Sequence, residues 1–392
     1  MAFGINKLKS RFSYIVKYLY EKQFGSYSIL NLNRNLLDKN QKKILLCYTI
    51  REFQMNVSNN ISHANILHSL QMVKILINHG YAIDVLKTND LLSVNKLQDD
   101  YDLILGFGPV FEKIISDFNK GKKILFLTEN DPRNVAIKYK EREDYFRLRH
   151  GSRLLKYSLK RDNFYTEKQI VNADIVIAMN SDYNLNLIKE SGIPIYKINS
   201  NGIKNVNYIY DNSRVFMNRN NFVWFGSAGL IHKGLDILID TFKLLPDKTL
   251  SIYGVDLREL PIINRRIPLN VHLCGRVDVY SQEYINEVLL KNTFIIFPSC
   301  SEGMSTAVAT SMMHGLIPII TPECGFDNQE YFIEINDYHI ESIIQTIKSL
   351  EIKTEKELKI MSEKVYHYSQ KKFSLSYFTE SFDRILTDIE SK

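Results

Sequence analysis

A recurring series of short apolar runs, spaced by helical patterns, constrains this chain more than any other feature. In the first half the runs fall at 43–49, 81–86, 102–108, 123–128, 174–179 and 195–198, and in the second at 222–227, 249–254, 271–275, 293–299 and 317–321. Runs of this length without polar alternation read as strands buried on both faces, and strands alternating with helices build parallel sheets covered on either side. A single core stops growing at roughly 250–300 residues, so a chain of 392 residues suits two domains.

The reading is therefore α/β, with two tandem Rossmann-like domains and a cleft between them. A basic amphipathic segment covers 1–40, the first domain 41–205, the second 206–374, and a final helical segment 375–392. The boundary is placed in the polar, Asn-rich stretch 200–221, which lacks clear periodicity. Phe378, Phe382, Ile385 and Ile389 form an apolar stripe with no strand of their own to cover, so the last helix is expected to cross back onto the first domain. At the other end Leu8, Phe12, Ile15 and Leu19 lie on one helical stripe among Lys7, Lys9, Arg11, Lys17 and Lys22. That segment suits either a helix packed on the body or one lying on an anionic membrane face.

No apolar run approaches the roughly 18 residues of a membrane-spanning helix, and no signal peptide is evident. Cys47, Cys274, Cys300 and Cys324 sit in or beside strand patterns without a C-x-x-C pair, which points away from zinc and disulfides and toward a reducing cytoplasm. The net charge is a moderate +6, and the 23 Tyr and 21 Phe are scattered through core patterns, not interleaved with basic clusters, so no nucleic-acid partner is expected. Asp100 and Asp102 in "DDYD" (99–102) form a D-x-D, but the motif precedes its strand and falls on the wrong rim for a metal site.

Ligands of such sheets bind beyond the carboxyl ends of the strands. After the run at 222–227, Gly226 and Gly229 permit a tight turn, and Lys233 with Gly234 opens a helix bearing Leu235, Leu238, Ile239, Phe242 and Leu245. A lysine opposes the positive end of the helix dipole unless an anion sits there, held by backbone N–H groups and the ammonium together; otherwise Lys233 is a solvated surface residue. After 293–299 comes Glu302, then Gly303, Met304 and a helix capped by Ser305 and opened by Thr306. Glu302 is either a capping carboxylate or an acceptor for sugar hydroxyls, with the N–H groups of Gly303, Met304 and Ser305 turned to an anion.

"FVWFGSAGLIHKGLDILIDTF" and "FPSCSEGMSTAVATSMMHGLIPIIT" together resemble the donor-binding half of retaining GT-B glycosyltransferases of the group 1 family. The resemblance implies transfer of a sugar from a nucleotide diphosphate to a glycan or lipid-linked acceptor, in bacterial surface polysaccharide or glycolipid synthesis, on the cytoplasmic side and without a metal or other cofactor. Lys233 matches the lysine that neutralises the donor diphosphate, and Glu302 the first of two glutamates, which contacts the transferred sugar. Two departures stand out: Ser227 falls where the family has the partnering arginine, and Thr310 where it has the ribose-binding glutamate. Arg276 is a candidate replacement cation, or a solvated loop residue, and Gly275 lets a base lie against the backbone.

The first domain is expected to hold the acceptor. Asn59 and Asn60 replace the glycines usual after the first strand, Ser62 is the expected N-cap of the next helix, and His63 is a phosphate or hydroxyl contact or a structural residue. Glu129 and Asp131 follow the run at 123–128 as acceptor or donor contacts, although Asp131 before Pro132 also reads as an ordinary turn. Two rival functions share this fold: a nucleotide-sugar epimerase, and an inactive scaffold subunit suggested by Ser227 and Thr310.

Overall fold

A computed structural model describes residues 28–30, 32–33, 42–50, 53, 63–97, 100–117, 120–159, 164–263 and 267–392. The basic N-terminal segment up to residue 27, and Asn59, Asn60, Ser62 and Asp99, lie outside the described residues.

The first sheet contains β1 (Ser28–Ile29), β2 (Lys43–Tyr48), β3 (Ala82–Lys87), β4 (Leu103–Gly106), β5 (Lys122–Leu127), β6 (Ile175–Ala178) and β7 (Ile195–Lys197), in the order β1-β3-β2-β4-β5-β6-β7. The second contains β8 (Asn221–Phe225), β9 (Thr249–Tyr253), β10 (Val271–Gly275), β11 (Phe294–Phe297), β12 (Ile317–Ile320) and β13 (Ile333–Glu334), in the order β10-β9-β8-β11-β12-β13. Among the described strands only β1 pairs antiparallel, against β3. The sheet centres are buried on both faces: Ile44 to Tyr48 of β2 and Phe294 to Phe297 of β11 are all inaccessible. Continuous apolar runs became parallel strands because helices cover each side.

Strand order reverses in the second sheet between β8 and β11, which pair directly through Phe222↔Phe294 and Val223↔Ile295. A crevice opens at such a switch point, where the connections leave toward opposite faces. The loops after β8 and β11, which carry Lys233 and Glu302, therefore leave the sheet side by side.

Two cores form, one per sheet, and the chain mixes them in two places. Phe378, Phe382, Ile385, Leu386 and Ile389 of the Leu375–Glu390 helix belong to the core of the first domain. Phe146, from the Pro132–His150 helix that follows β5, belongs to the core of the second. The two interdomain crossings run side by side, with the Gly202 N–H donated to the Phe373 carbonyl at 2.9 Å. Of the D-x-D stretch, Asp100 pairs with Lys120, and Asp102 accepts the Lys43 N–H at the start of β2. Among the described residues no helix is long and apolar enough to cross a membrane.

The returning helix docks through stacking and charge. His68 stacks on Phe378 with ring centroids 4.2 Å apart, and burial lowers its pKa to about 3, so it packs as a neutral ring. His79 bridges two carboxylates of the helix, Nε2 to Asp383 at 2.8 Å and Nδ1 to Glu390 at 2.7 Å, and the Tyr81 hydroxyl also donates to Glu390. Partial burial opposes protonation of His79, but the two carboxylates outweigh it and raise its pKa; partial burial likewise opposes ionisation of Glu390, but Tyr81 and His79 outweigh it and lower its pKa. The His79 contribution is thus full below its ordinary value of about 6.5 and is lost as pH rises through the raised one. The Glu390 contribution is present above the ordinary carboxylate value and is lost as pH falls. Docking of the last helix should be firmest in mildly acidic solution, and the wild-type minus His79→Gln difference in unfolding midpoint should shrink from pH 6 to pH 8. A difference that grows over that range refutes the assignment.

Candidate functional site

The loop from Gly226 to Gly234 is held at nearly every backbone position. The Lys233 N–H donates to the Gly229 carbonyl at 2.9 Å, and the Trp224 indole N–H donates to the Lys233 carbonyl at 3.2 Å. Gly234 takes a left-handed φ of 71° with Pro298 pressed against it; a Cβ there would lie 2.3 Å from the Pro298 carbonyl oxygen, so only glycine fits. The helix begins one residue later, at Leu235, and leaves Lys233 in the preceding turn. Lys233 is 5% exposed, which overturns the solvated-surface alternative, and its Nζ donates to Ser227 Oγ at 3.1 Å. The lysine and the serine that stands in the arginine position are thus brought together.

One expectation for this loop is corrected. The Gly229 N–H does face an anion, but it is the buried Glu259 carboxylate, which accepts from Gly229 at 2.7 Å, from Leu230 at 3.3 Å and from Leu159 at 3.0 Å. A ligand phosphate therefore finds that donor engaged.

Glu302 lies beyond β11 and is 7% exposed. Its Oε1 accepts from Ser299 Oγ at 3.1 Å and lies 3.5 Å from Nε2 of His232, the neighbour of Lys233. His232 in turn has Nδ1 3.4 Å from Cys300 Sγ, and the Tyr139 ring 4.5 Å from its own. The Ser305 N–H donates to the Cys324 carbonyl at 3.1 Å, so it does not face a ligand, and the Ser305 side chain makes no cap bond to the Thr306–Met312 helix. Met304 is buried and Thr306 is exposed. Gly303 is a point of contact between domains: a Cβ there would lie 2.1 Å from the Thr128 carbonyl oxygen, which requires glycine for the close approach.

Thr310 serves the framework. Thr310 Oγ1 accepts the Ile203 N–H at 3.1 Å, and the Thr310 carbonyl meets His314 Nδ1 at 2.7 Å, while His314 Nε2 faces the Asn205 N–H at 3.0 Å. Burial lowers the His314 pKa to about 4, and the neutral ring donates at one nitrogen and accepts at the other. Thr310 thus holds the interdomain linker. Gly275 and Arg276 are exposed on the open edge of the sheet.

In the first domain Asp131 is the N-cap of the Pro132–His150 helix; it accepts the Arg133 N–H at 2.8 Å and pairs with the Arg133 side chain. The Asp131 carboxylate is thus engaged in capping that helix and in its pair with Arg133. Glu129 is half-buried, and its carbonyl accepts Asn180 Nδ2 at 2.7 Å. His63 is exposed at the N-cap position of the Ala64–Asn78 helix without a side-chain cap bond, in the place expected for Ser62.

Several residues at this site escaped the sequence. Arg142, fully buried, donates to the Ile231 carbonyl at 2.9 Å and to Asp236 Oδ1 at 2.7 Å, and so holds the Lys233 loop from below. Glu323 sits between domains, with Lys138 Nζ at 3.3 Å and a hydrogen bond from the Tyr183 hydroxyl at 3.2 Å; burial raises its carboxyl above the ordinary range against the pull of Lys138 and Tyr183. The one signal available was a cluster of polar residues after the strand at 174–179.

Residues 219–350 match the family model described as Glycosyl transferases group 1. No curated protein matches the chain by sequence. Among solved structures, sucrose-phosphate synthase from Thermosynechococcus elongatus is 11% identical, with 90% of this chain and 100% of that one covered and a TM-score of 0.60. HepE from Anabaena, solved in complex with UDP, is 14% identical over 88% of this chain and 100% of that one, with a TM-score of 0.57. The GtfA/B complex is 16% identical over 77% of this chain, which spans 59% of the length of that one, with a TM-score of 0.52. The chain thus has the two-domain GT-B fold of these structures, and its residues 219–350 are similar to the Glycosyl transferases group 1 family.

Proposed function

We propose that the protein is a retaining glycosyltransferase that moves a sugar from a nucleotide diphosphate to a glycan or lipid-linked acceptor in surface polysaccharide or glycolipid synthesis. The observation that carries the reading is the convergence of Lys233 and Glu302 at the β8/β11 switch point, joined through His232 and pressed against the first domain at Gly303. As the sugar–phosphate bond breaks, negative charge grows on the leaving diphosphate. A buried ammonium stabilises that charge more than one in water would, and in this reading Lys233, not a bound metal, supplies it. Glu302 accepts hydrogen bonds from the sugar hydroxyls and holds the ring in position. Closure of the first domain over the site excludes water and limits hydrolysis.

Ser227, Thr310 and the engaged Gly229 N–H favour a second reading, a GT-B scaffold without turnover. Thermal unfolding of the purified protein with UDP, GDP, CMP, ADP and their sugar conjugates separates the two. Ligand at 100 times its Kd adds about 2.7 kcal/mol to the folded state, so one nucleotide class should raise the midpoint by several degrees. No shift with any of them would make the scaffold the better reading.

A further inference from the structure

We propose that Asn184 is a positioning residue that ties the placement of Glu302 to closure of the two domains. The proposal rests on the reading of Glu302 as a sugar-binding residue. Asn184 lies beyond β6, is 1% exposed, and belongs to a set of three side-chain amides between the loops that follow β5 and β6. Asn130 Nδ2 donates to Asn184 Oδ1 at 3.1 Å, and Asn184 Nδ2 donates to Asn180 Oδ1 at 3.1 Å. The outer two amides are oriented by main chain: Asn180 Nδ2 donates to the Glu129 carbonyl at 2.7 Å, and Asn130 Oδ1 accepts the Asp131 N–H at 2.7 Å.

Asn184 Nδ2 also crosses the domain boundary. It donates to the Glu302 carbonyl at 3.0 Å and lies 3.3 Å from the Glu323 carbonyl. Only one orientation of the amide satisfies this set, because the reverse would set its oxygen against three acceptors. The Glu302 N–H is donated to the Glu323 carbonyl at 2.9 Å. Residue 302 is therefore held at its N–H from within the second domain and at its carbonyl from the first. When the domains part, the carbonyl loses its partner, and the backbone that aims the carboxylate is held at one end only.

The surrounding interdomain contacts are mostly charged: Lys138 with Glu323, and Lys197 with Asp327, whose Oδ1 also accepts the Asp182 N–H. Salt weakens such pairs where solvent reaches them, whereas a buried amide keeps its bonds. Asn184 is thus the part of the contact that acts directly on the Glu302 peptide and does not depend on ionic strength.

The test uses the full chain without ligand, so it needs no identified donor. In Asn184→Asp the shape is kept, but the donor that faces the Glu302 and Glu323 carbonyls becomes a charged acceptor. Small-angle scattering at pH 7.5 should show a larger radius of gyration than wild type, and amide exchange in peptides covering 299–312 should rise about 10- to 100-fold, as expected for loss of buried hydrogen bonds at a closing interface. Below about pH 5 the introduced carboxyl gains a proton, becomes a donor again, and should bring both readouts back toward wild type. Asn184→Ala should be open at both pH values, and it serves alone if the aspartate variant does not fold. The pH reversal ties both readouts to the donor that faces the Glu302 and Glu323 carbonyls and not to the volume of the side chain. Unchanged scattering and exchange in both variants overturn the proposal. A fully active Glu302→Gln would remove the sugar-binding role while leaving the scattering result intact, so the two failures are distinguishable.

Discussion

Lys233→Met and Glu302→Gln are each expected to slow sugar transfer by about 100- to 1,000-fold, the range seen when one group aimed at developing transition-state charge is removed. Methionine keeps most of the buried stem of Lys233 and discards the ammonium, so it tests charge and not packing. Because the leaving diphosphate carries more negative charge in the transition state than in the bound substrate, the Lys233 effect should fall on kcat more than on KM. Glutamine preserves the shape of Glu302 and an acceptor oxygen for Ser299 but not the negative charge that strengthens bonds from sugar hydroxyls. Rates are to be measured with the nucleotide sugar selected by thermal stabilisation, beside the unfolding curve of each variant. A double variant that transfers sugar at the wild-type rate would sink the assignment.

The largest loss of stability is expected at Arg142. Its guanidinium is buried with Asp236, and Asp236 is also paired with Arg149, which in turn reaches Asp240. Arg142→Ala leaves a buried carboxylate with one partner fewer and the Ile231 carbonyl with the Gly234 N–H in place of two donors, and it empties a large volume between the domains. Breaking a buried pair from one side costs about 3–5 kcal/mol, which should lower the unfolding midpoint by roughly 10 °C. Arg258, whose pair with Asp256 is exposed, serves as the control: Arg258→Ala should leave the midpoint unchanged. The double variant Arg142→Met/Asp236→Leu should unfold at a higher temperature than Arg142→Ala, because no unpaired charge stays buried. If Arg142→Ala matches the Arg258 control, the interdomain helix does not depend on this pair.

Much of the fold was legible in the sequence. The apolar runs fall on strands in both sheets, because a strand covered on both faces must be apolar at successive positions and shows its length directly. The short edge strands β1 and β13, two residues each, were not anticipated, since two residues carry no pattern. The stripe at Phe378, Phe382, Ile385 and Ile389 was readable for the same reason as the strands: an apolar face with nothing local to cover it needs a distant partner, here the core of the first domain. The Pro132–His150 helix had no such stripe. Among its residues only Pro132, Arg142 and Phe146 are buried, so its packing into the second domain left little trace in hydrophobic periodicity.

Lys233 and Glu302 stood out because each is a charged residue beside a glycine, in the segment between an apolar strand and the helix that follows it. Their partners did not. Glu259 reaches Gly229 across 30 positions, Arg142 reaches Asp236 across 94, Thr310 reaches Ile203 across 107, and Asn184 reaches Glu302 across 118. From composition and periodicity the sequence by itself determined the two sheets, the helices that cover them and the returning last helix, because burial is a repeating property along the chain. Only the tertiary structure decided which backbone donors are engaged, that Thr310 holds the linker, and that the Glu302 peptide is gripped from the other domain. A hydrogen bond depends on two atoms meeting within about 3 Å, and nothing in the order of residues states which distant atoms the fold will bring together.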